Sequence, residues 1–209
     1  QDMIGMAMVS AGGGAMLPVH GAEPAFGTQP IAWGAPANNM PPFVFDVATT
    51  QVAANKLLLT RRIGSKIEPG WIANLDGSPI MEAVDVPEFG QFKMLPFGGI
   101  RENGGHKGYG FAAIADIMSG ILSGNGPGFI ADRSYSFFVM AFNVDSFLDV
   151  NDFKDDMDKL LHKLANTKPA PGHERVFYAG LPEHEETEIR QKNGIPYHRE
   201  VVEWFNSVS

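Results

Sequence analysis

Apolar positions along this chain fall into short blocks of two periods, separated by long connections rich in glycine and proline. Residues 4–10 are apolar and rich in methionine, which predicts a buried strand, and Gly12, Gly13 and Gly14 then form a flexible turn. Residues 18–42 carry Pro18, Pro24, Pro30, Pro36, Pro41 and Pro42, a density that argues against a central strand or helix over most of the segment. One short apolar piece, Ile31, Ala32 and Trp33, interrupts it. Residues 43–48 read as a second buried strand, after which Thr49 or Thr50 is expected to cap a helix over 51–62. Val52, Leu57 and Leu58 give that helix an apolar face, and Gly64 ends it. Residues 68–79 predict a short strand and a tight turn at Asp76 and Gly77, with Trp71 in the core.

The second half is organised around residues 102–122. Gly104, Gly105, Gly108 and Gly110 crowd a turn that holds Lys107 and runs into an apolar segment long enough for a helix. Residues 123–128 stop that helix with three glycines and a proline. Residues 135–144 are densely apolar and aromatic, the pattern of a central strand. Phe153, Met157, Leu160, Leu161 and Leu164 recur at helical spacing over 152–166, with acids early and lysines late as the helix dipole favours. A strand over 175–179, a charged helix over 184–193 ended by Gly194, and an amphipathic helix over 197–207 complete the chain. The irregular alternation predicts a mixed α/β architecture whose long loops bind something.

Composition narrows the function. The 209 residues are 44% hydrophobic and 19% charged, an ordinary globular balance. A net charge of -8 argues against nucleic acid as a partner, because phosphate binding needs a basic surface. With 0 cysteines there are no disulfides, no thiolate catalysis and no cysteine metal sites, which fits a cytoplasmic location. The first residues lack the basic stretch of a signal peptide, and the apolar run at 111–122 contains Asp116 and is too short to span a bilayer. Position 1 is not methionine and the chain opens inside a strand pattern, so further sequence is expected upstream.

Three features carry candidate chemistry. The glycine turn at 104–110 permits close backbone approach to a ligand, and Lys107 with the amides of the following helix would favour a phosphate or carboxylate; a plain loop-to-helix turn is the alternative. Neither standard phosphate-loop pattern is present. Asp46 interrupts an apolar strand near its end, where an acid either satisfies backbone amides or accepts ligand hydroxyls. The six histidines lack metal-ligand spacing, so no metal is expected; His20 and His106 lie in loops from which a side chain can reach a ligand.

Several blocks together resemble one family. Phe26, Gly27, Thr28, Gln29, Pro30, Ile31 and Ala32 resemble the GTNP-I-A signature of the malate/L-lactate dehydrogenase family. This non-Rossmann group also holds ureidoglycolate, sulfolactate and diketogulonate dehydrogenases and a Δ1-piperideine-2-carboxylate reductase. The segment 45–50 with Lys56 resembles its DMATS…GK block, and Pro69, Gly70 and Trp71 with 76–79 its EGW…DG-P block. Residues 105–110 resemble GxKGYG, and 180–183 with Gly194 and Ile195 resemble the family's PGE…GI ending.

The resemblance implies a largely antiparallel mixed sheet flanked by helices. It also implies hydride exchange between NAD or NADP and a small 2-hydroxy or 2-oxo acid, in a homodimer with its site near the interface. A reductase of cyclic imino acids, or a cofactor-binding fragment without turnover, are the alternatives. By matching position, Gly12, Asp46, Val47, Ala48, Lys107, Gly108, Gly180, Leu181 and Pro182 would meet the cofactor, and Thr28 would face the substrate. Residues 1–150 would form the cofactor-binding domain, and 151–209 a helical segment with one strand that packs against the expected upstream part. The family's catalytic histidine lies in its N-terminal third, before Gln1, so no catalytic residue is assigned and this chain alone is expected to be inactive. Gln29 in place of asparagine, Asn55 in place of glycine and the Leu181–Pro182 order depart from the pattern.

Overall fold

The computed structural model describes residues 1–130 and 135–208. It is mixed α/β, a sheet flanked by helices. The chain divides into two compact units, one of Gln1–Ile4, Gly34–Val44 and Asn143–Ser209, the other of Gly5–Trp33 and Phe45–Phe142. Four strands, β1 (Met3–Ala11), β2 (Ile31–Ala35), β3 (Phe43–Val47) and β6 (Tyr135–Asn143), form a sheet in the order β3-β2-β1-β6. Between them in sequence, β4 (Ile72–Ala73) pairs antiparallel with β5 (Lys93–Met94).

This order places one apolar piece in the sheet and corrects two strand expectations. The apolar piece at Ile31 is an interior strand, because Pro30 and Pro36 bracket it rather than interrupt its ladder. Pro30 uses its carbonyl instead, accepting from the Val9 N–H at 3.1 Å. The segment at Phe43 is an edge strand with Val44, Phe45 and Asp46 exposed, not a buried one. The apolar run from Tyr135 also lies at an edge, and strict alternation leaves Tyr135, Phe137 and Val139 on its open face, Val139 at 77%. Residues 175–179 form no ladder; there the Ala179 carbonyl accepts one bond, from the Val44 N–H at 3.0 Å.

In the unit of Gly5–Trp33 and Phe45–Phe142, the core gathers Met16, Phe26, Val52, Leu57, Ile67, Ile72, Phe92, Met94 and Ala112, with Trp71 packed against it. Helix α1 (Ala54–Arg62) inserts Leu57 fully while Leu58 stays exposed. It begins later than expected and no side chain caps it. Both threonine hydroxyls are committed elsewhere, Thr49 to the Thr28 carbonyl and Thr50 to the Val52 carbonyl.

Helix α2 (Gly105–Ala115) also departs from expectation. The glycine-rich stretch is the first two turns of the helix rather than a loop ahead of it. Glycine costs about 1 kcal/mol per helical position relative to alanine, and close packing offsets it. A Cβ on Gly105 would sit 2.3 Å from the Gly99 carbonyl oxygen, and one on Gly108 2.2 Å from that of Phe97. The Cβ positions of these two glycines are taken by neighbouring backbone. The helix runs on into a π-helical turn, Asp116–Ile121.

In the other unit, α3 (Val150–Ala165) is capped by Asp149, which accepts from the N–H groups of Asn151 and Asp152, and it buries Leu161. Helices α4 (Leu181–Asn193) and α5 (Arg199–Val208) bury no residue fully. Asp158 clasps the loop before β3. It accepts from the backbone N–H groups of Asn38, Asn39 and Met40 at 2.8–3.1 Å and from the Asn39 amide at 2.9 Å. The Met40 amide above all, then those of Asn39 and Asn38, holds this carboxyl at about 2 against an opposing desolvation. Beside it, the Tyr178 hydroxyl donates to the Pro41 carbonyl at 2.9 Å.

Two outcomes follow. A folded-state pKa below the unfolded value means that the Asp158 clasp stabilises fully above the ordinary carboxylate range and is lost as pH falls through about 2. Acid unfolding of Asp158→Ala, followed by circular dichroism, is expected to take up about one proton fewer than wild type between pH 4 and 2. For α2, Gly108→Ala is expected to destabilise by at least ~1–3 kcal/mol in urea unfolding, because Phe97 backbone blocks the methyl. Gly110→Ala, with nothing within 4 Å, is expected to stabilise by roughly 0.5–1 kcal/mol.

Candidate functional site

Four segments of the unit of Gly5–Trp33 and Phe45–Phe142 converge just past β3, and Thr49 joins them. Its N–H and its hydroxyl both donate to the Thr28 carbonyl at 2.9 Å. Its own carbonyl accepts from the Phe97 N–H at 2.7 Å. Gln51 reinforces the same seam, donating its N–H to the Leu95 carbonyl at 2.8 Å and accepting from the Gly98 N–H at 2.7 Å. Phe97 in turn lies against Gly108 of α2, closer than any side chain would allow. Thr28, Val47, Ala48 and Gly108, far apart in sequence, are thus gathered around Thr49, expected only as a helix cap, and Phe97, not singled out in the sequence.

Between these segments opens an apolar pocket of about 190 Å³, lined by Ile31, Phe45, Val47, Ala48, Thr49, Phe97 and Phe111. Its wall is almost wholly hydrocarbon and aromatic, suited to a flat ring. Lys107 precedes Phe111 by four residues and so shares its face of α2, one turn nearer the helix start. The lysine is exposed and forms no ion pair among the described residues. The amides expected to receive an anion are partly committed: Gly105 N–H donates to the Ile100 carbonyl and Lys107 N–H to the Gly104 carbonyl, each at 2.8 Å. An anion here meets chiefly the ammonium group and the positive end of the helix dipole.

Asp46 is exposed and, by strand alternation, faces away from Phe45 and Val47, so its carboxylate does not line the pocket. Gly12 follows β1 where Ala11 is held against the Thr28 turn; a Cβ on Gly27 would stand 2.7 Å from the Ala11 carbonyl oxygen. Gly180, Leu181 and Pro182 belong to the other unit, at the start of α4. Gly180 has φ +94°, and a Cβ there would meet the Val44 amide nitrogen at 2.9 Å.

A larger cavity of about 530 Å³ has His20, Asp76, Arg101 and Glu102 on its wall and none of the predicted cofactor residues. Arg101 Nη1 lies 3.2 Å from His106 Nδ1. No cluster of three His, Asp or Glu side chains able to hold a metal occurs among the described residues.

Sequence reasoning passed over one further group. Ser10, Gln29 and Asp116 are exposed by no more than 2% and form a closed polar network. The Ser10 hydroxyl donates to Asp116 Oδ1 at 2.6 Å, Gln29 Nε2 donates to the same oxygen at 2.9 Å, and the Gly128 N–H donates to both carboxylate oxygens at 3.1 and 3.2 Å. Gln29 Oε1 accepts from the Ala11 N–H at 3.2 Å. Gln29 also has φ +33°, a left-handed conformation that costs a non-glycine residue about 1–3 kcal/mol. The available signal was Asp116, the lone charge in the apolar run at 111–122.

This chain is similar to known proteins in both sequence and fold. A sequence profile described as malate/L-lactate dehydrogenase matches residues 1–206. The malate dehydrogenase of Pyrococcus abyssi is 34% identical over 100% of this chain and 59% of its own length. A Δ1-pyrroline-2-carboxylate/Δ1-piperideine-2-carboxylate reductase of Pseudomonas aeruginosa is 40% identical over 53% of this chain and 30% of its own length. The crystal structure of malate dehydrogenase from Entamoeba histolytica superimposes with a TM-score of 0.87 at 28% identity, covering 100% of this chain and 61% of that one. This chain therefore spans about three fifths of such relatives, 59% of the Pyrococcus protein. With its signature turn, its apolar pocket and a profile match over 1–206, the chain belongs to the malate/L-lactate dehydrogenase family.

Proposed function

We propose that this chain carries the cofactor platform of an NAD(P)-dependent oxidoreductase that interconverts small 2-hydroxy and 2-oxo acids. The convergence of Thr28, Ala48 and Gly108 on Thr49 and Phe97, around an apolar pocket with Lys107 one turn away, carries this reading. The residues present fit a nicotinamide dinucleotide. The hydrocarbon wall of Val47, Ala48, Phe97 and Phe111 suits a flat ring, and Lys107 suits a phosphate or a substrate carboxylate. Asp46, exposed on β3, is free to accept ribose hydroxyls on the face opposite the pocket. Gly12 and Thr28 lie at the turn beside Ala11, where Thr28 would orient the substrate. Gly180, Leu181 and Pro182 would contribute from their own unit. When bound, the nicotinamide supplies or receives the hydride.

None of this chain's histidines is assigned the proton-transfer role: His106 stands against Arg101, and His20 lines the other cavity. The exposed apolar face of α2 and its continuation, Phe111, Ile114, Ile117 and Ile121, supports a homodimer, and the absence of cysteine supports a cytoplasmic setting. A second reading, reduction of cyclic imino acids, is favoured by the 40% identity to the Pseudomonas aeruginosa reductase.

Titration with NADH and NADPH, followed by nicotinamide fluorescence, tests the platform. Lys107→Ala is expected to weaken binding about tenfold, or ~1.4 kcal/mol, with the loss shrinking at high salt. Ala48→Phe, which fills the pocket, is expected to abolish binding while the fold persists. Unchanged affinity in both variants would contradict the proposal. Oxidation of malate or lactate, set against reduction of Δ1-piperideine-2-carboxylate, separates the two substrate readings.

A further inference from the structure

We infer that Asp116 is a positioning residue whose carboxylate, acting through Gln29, sets the Thr28 turn and the Gly12 approach for the nicotinamide dinucleotide. The inference rests on the proposed cofactor reading, but its geometry stands independently. Asp116 opens the π-helical turn, where the ladder of α2 shifts register and Leu122 N–H reaches the Ile117 carbonyl five residues back, at 2.9 Å. Such single π turns frequently mark functional places in a helix.

The turn carries the carboxylate into a space that glycines keep open on two sides. A Cβ on Gly120 would stand 2.9 Å from Ser10 Oγ and 3.2 Å from Asp116 Oδ1, and one on Gly128 3.1 Å from Asp116 Oδ1 and 3.2 Å from Gln29 Nε2. Asp116 thereby ties three segments together: the end of β1 through Ser10, the signature turn through Gln29, and the loop at Gly128.

The consequence falls on residues one step away. Gln29 is fully buried, and both ends of its amide are bonded, Nε2 to Asp116 and Oε1 to the Ala11 N–H. That fixation holds the unfavourable φ of +33° at Gln29 and so the direction in which the chain leaves Thr28. The Thr28 carbonyl then meets Thr49, the residue that closes the apolar pocket. On the other side the Ala11 amide, pinned by Gln29, fixes where Gly12 begins. The glycine turn that follows is tied in its turn to the loop that Asp116 holds, the Gly13 N–H donating to the Gly128 carbonyl at 3.3 Å.

The test uses the full 209-residue chain, free and with NADH, and four variants. In cofactor-free hydrogen exchange, Asp116→Ala and Gln29→Leu are expected to accelerate the amides of Ala11, Gly13 and Thr49 by roughly tenfold relative to the amides of Ile80 and Met94. Both variants are expected to raise the NADH dissociation constant about tenfold. Asp116→Asn keeps an acceptor at Oδ1 for Ser10 and Gln29 but sets an NH2 against the Gly128 N–H at the Oδ2 position, and is expected to fall between wild type and Asp116→Ala in both readouts. Leu57→Ala, a buried apolar control with no part in the polar network, is expected to accelerate exchange evenly and leave affinity unchanged. Even acceleration in Asp116→Ala, or an Asp116→Asn variant as impaired as Asp116→Ala, would overturn the inference. Should wild type bind no dinucleotide, the cofactor reading fails while the exchange pattern still decides whether Asp116 sets the turn.

Discussion

The structure around the site depends on one close approach, Phe97 backbone pressed between Thr49 and Gly108. Its N–H donates to Thr49 at 2.7 Å, and its carbonyl oxygen occupies the space where any side chain at 108 would begin. Nothing but glycine leaves that gap, and a hydrogen bond that short fixes the strand end to the loop. Everything else about the site follows from this wedge. It brings α2 onto the end of β3, places Phe111 across from Val47 and Ala48, and puts Lys107 one turn from the same pocket. The same contact explains why so poor a helix-forming sequence is helical at all.

Much of this was legible in the sequence, and what was missed has physical reasons. Motif blocks singled out Thr28, Ala48 and Gly108, which the fold gathers near Thr49 and Phe97, because each block is short and its chemistry local. The strands of β1 and β3 and the amphipathic α3 were legible from apolar periodicity, which is also local. Burial was not. Apolar runs at Phe43 and Tyr135 mark strands correctly, yet both lie at sheet edges in this chain, and edge position depends on pairing between distant segments. The glycine cluster at 104–110 was taken for a loop because single-residue propensity disfavours helix, and packing against Gly99 and Phe97 overrode it. Thr49 failed as a helix cap for a related reason: its hydroxyl had a better partner 21 residues away in sequence, the Thr28 carbonyl.

The polar interior shows the same division. Asp116 is an acid in an apolar helix, a visible oddity, but its partners Ser10 and Gln29 lie 106 and 87 residues away, and no spacing rule joins them. Gln29, noticed as a departure from the family asparagine, has the reach to bond Ala11 and Asp116 at once. The departure is thus matched by a partner, which is how a fold absorbs a change at a buried polar position without leaving a donor unsatisfied. Asp158 solves the corresponding problem at the surface of the other unit, where one carboxylate replaces the ladder partners that the Asn38–Met40 loop lacks.

In the proposed complex a nicotinamide dinucleotide lodges its ring against Phe97 and Phe111 with its charge beside Lys107. Amide chemical-shift mapping of the 209-residue chain during an NADH titration tests this most directly. The largest saturable shifts are expected at Ala48, Thr49, Phe97, Gly108 and Phe111, with little change at the wall of the cavity formed by His20, Asp76 and Arg101. Shifts confined to that second cavity, or none that saturate, would contradict it.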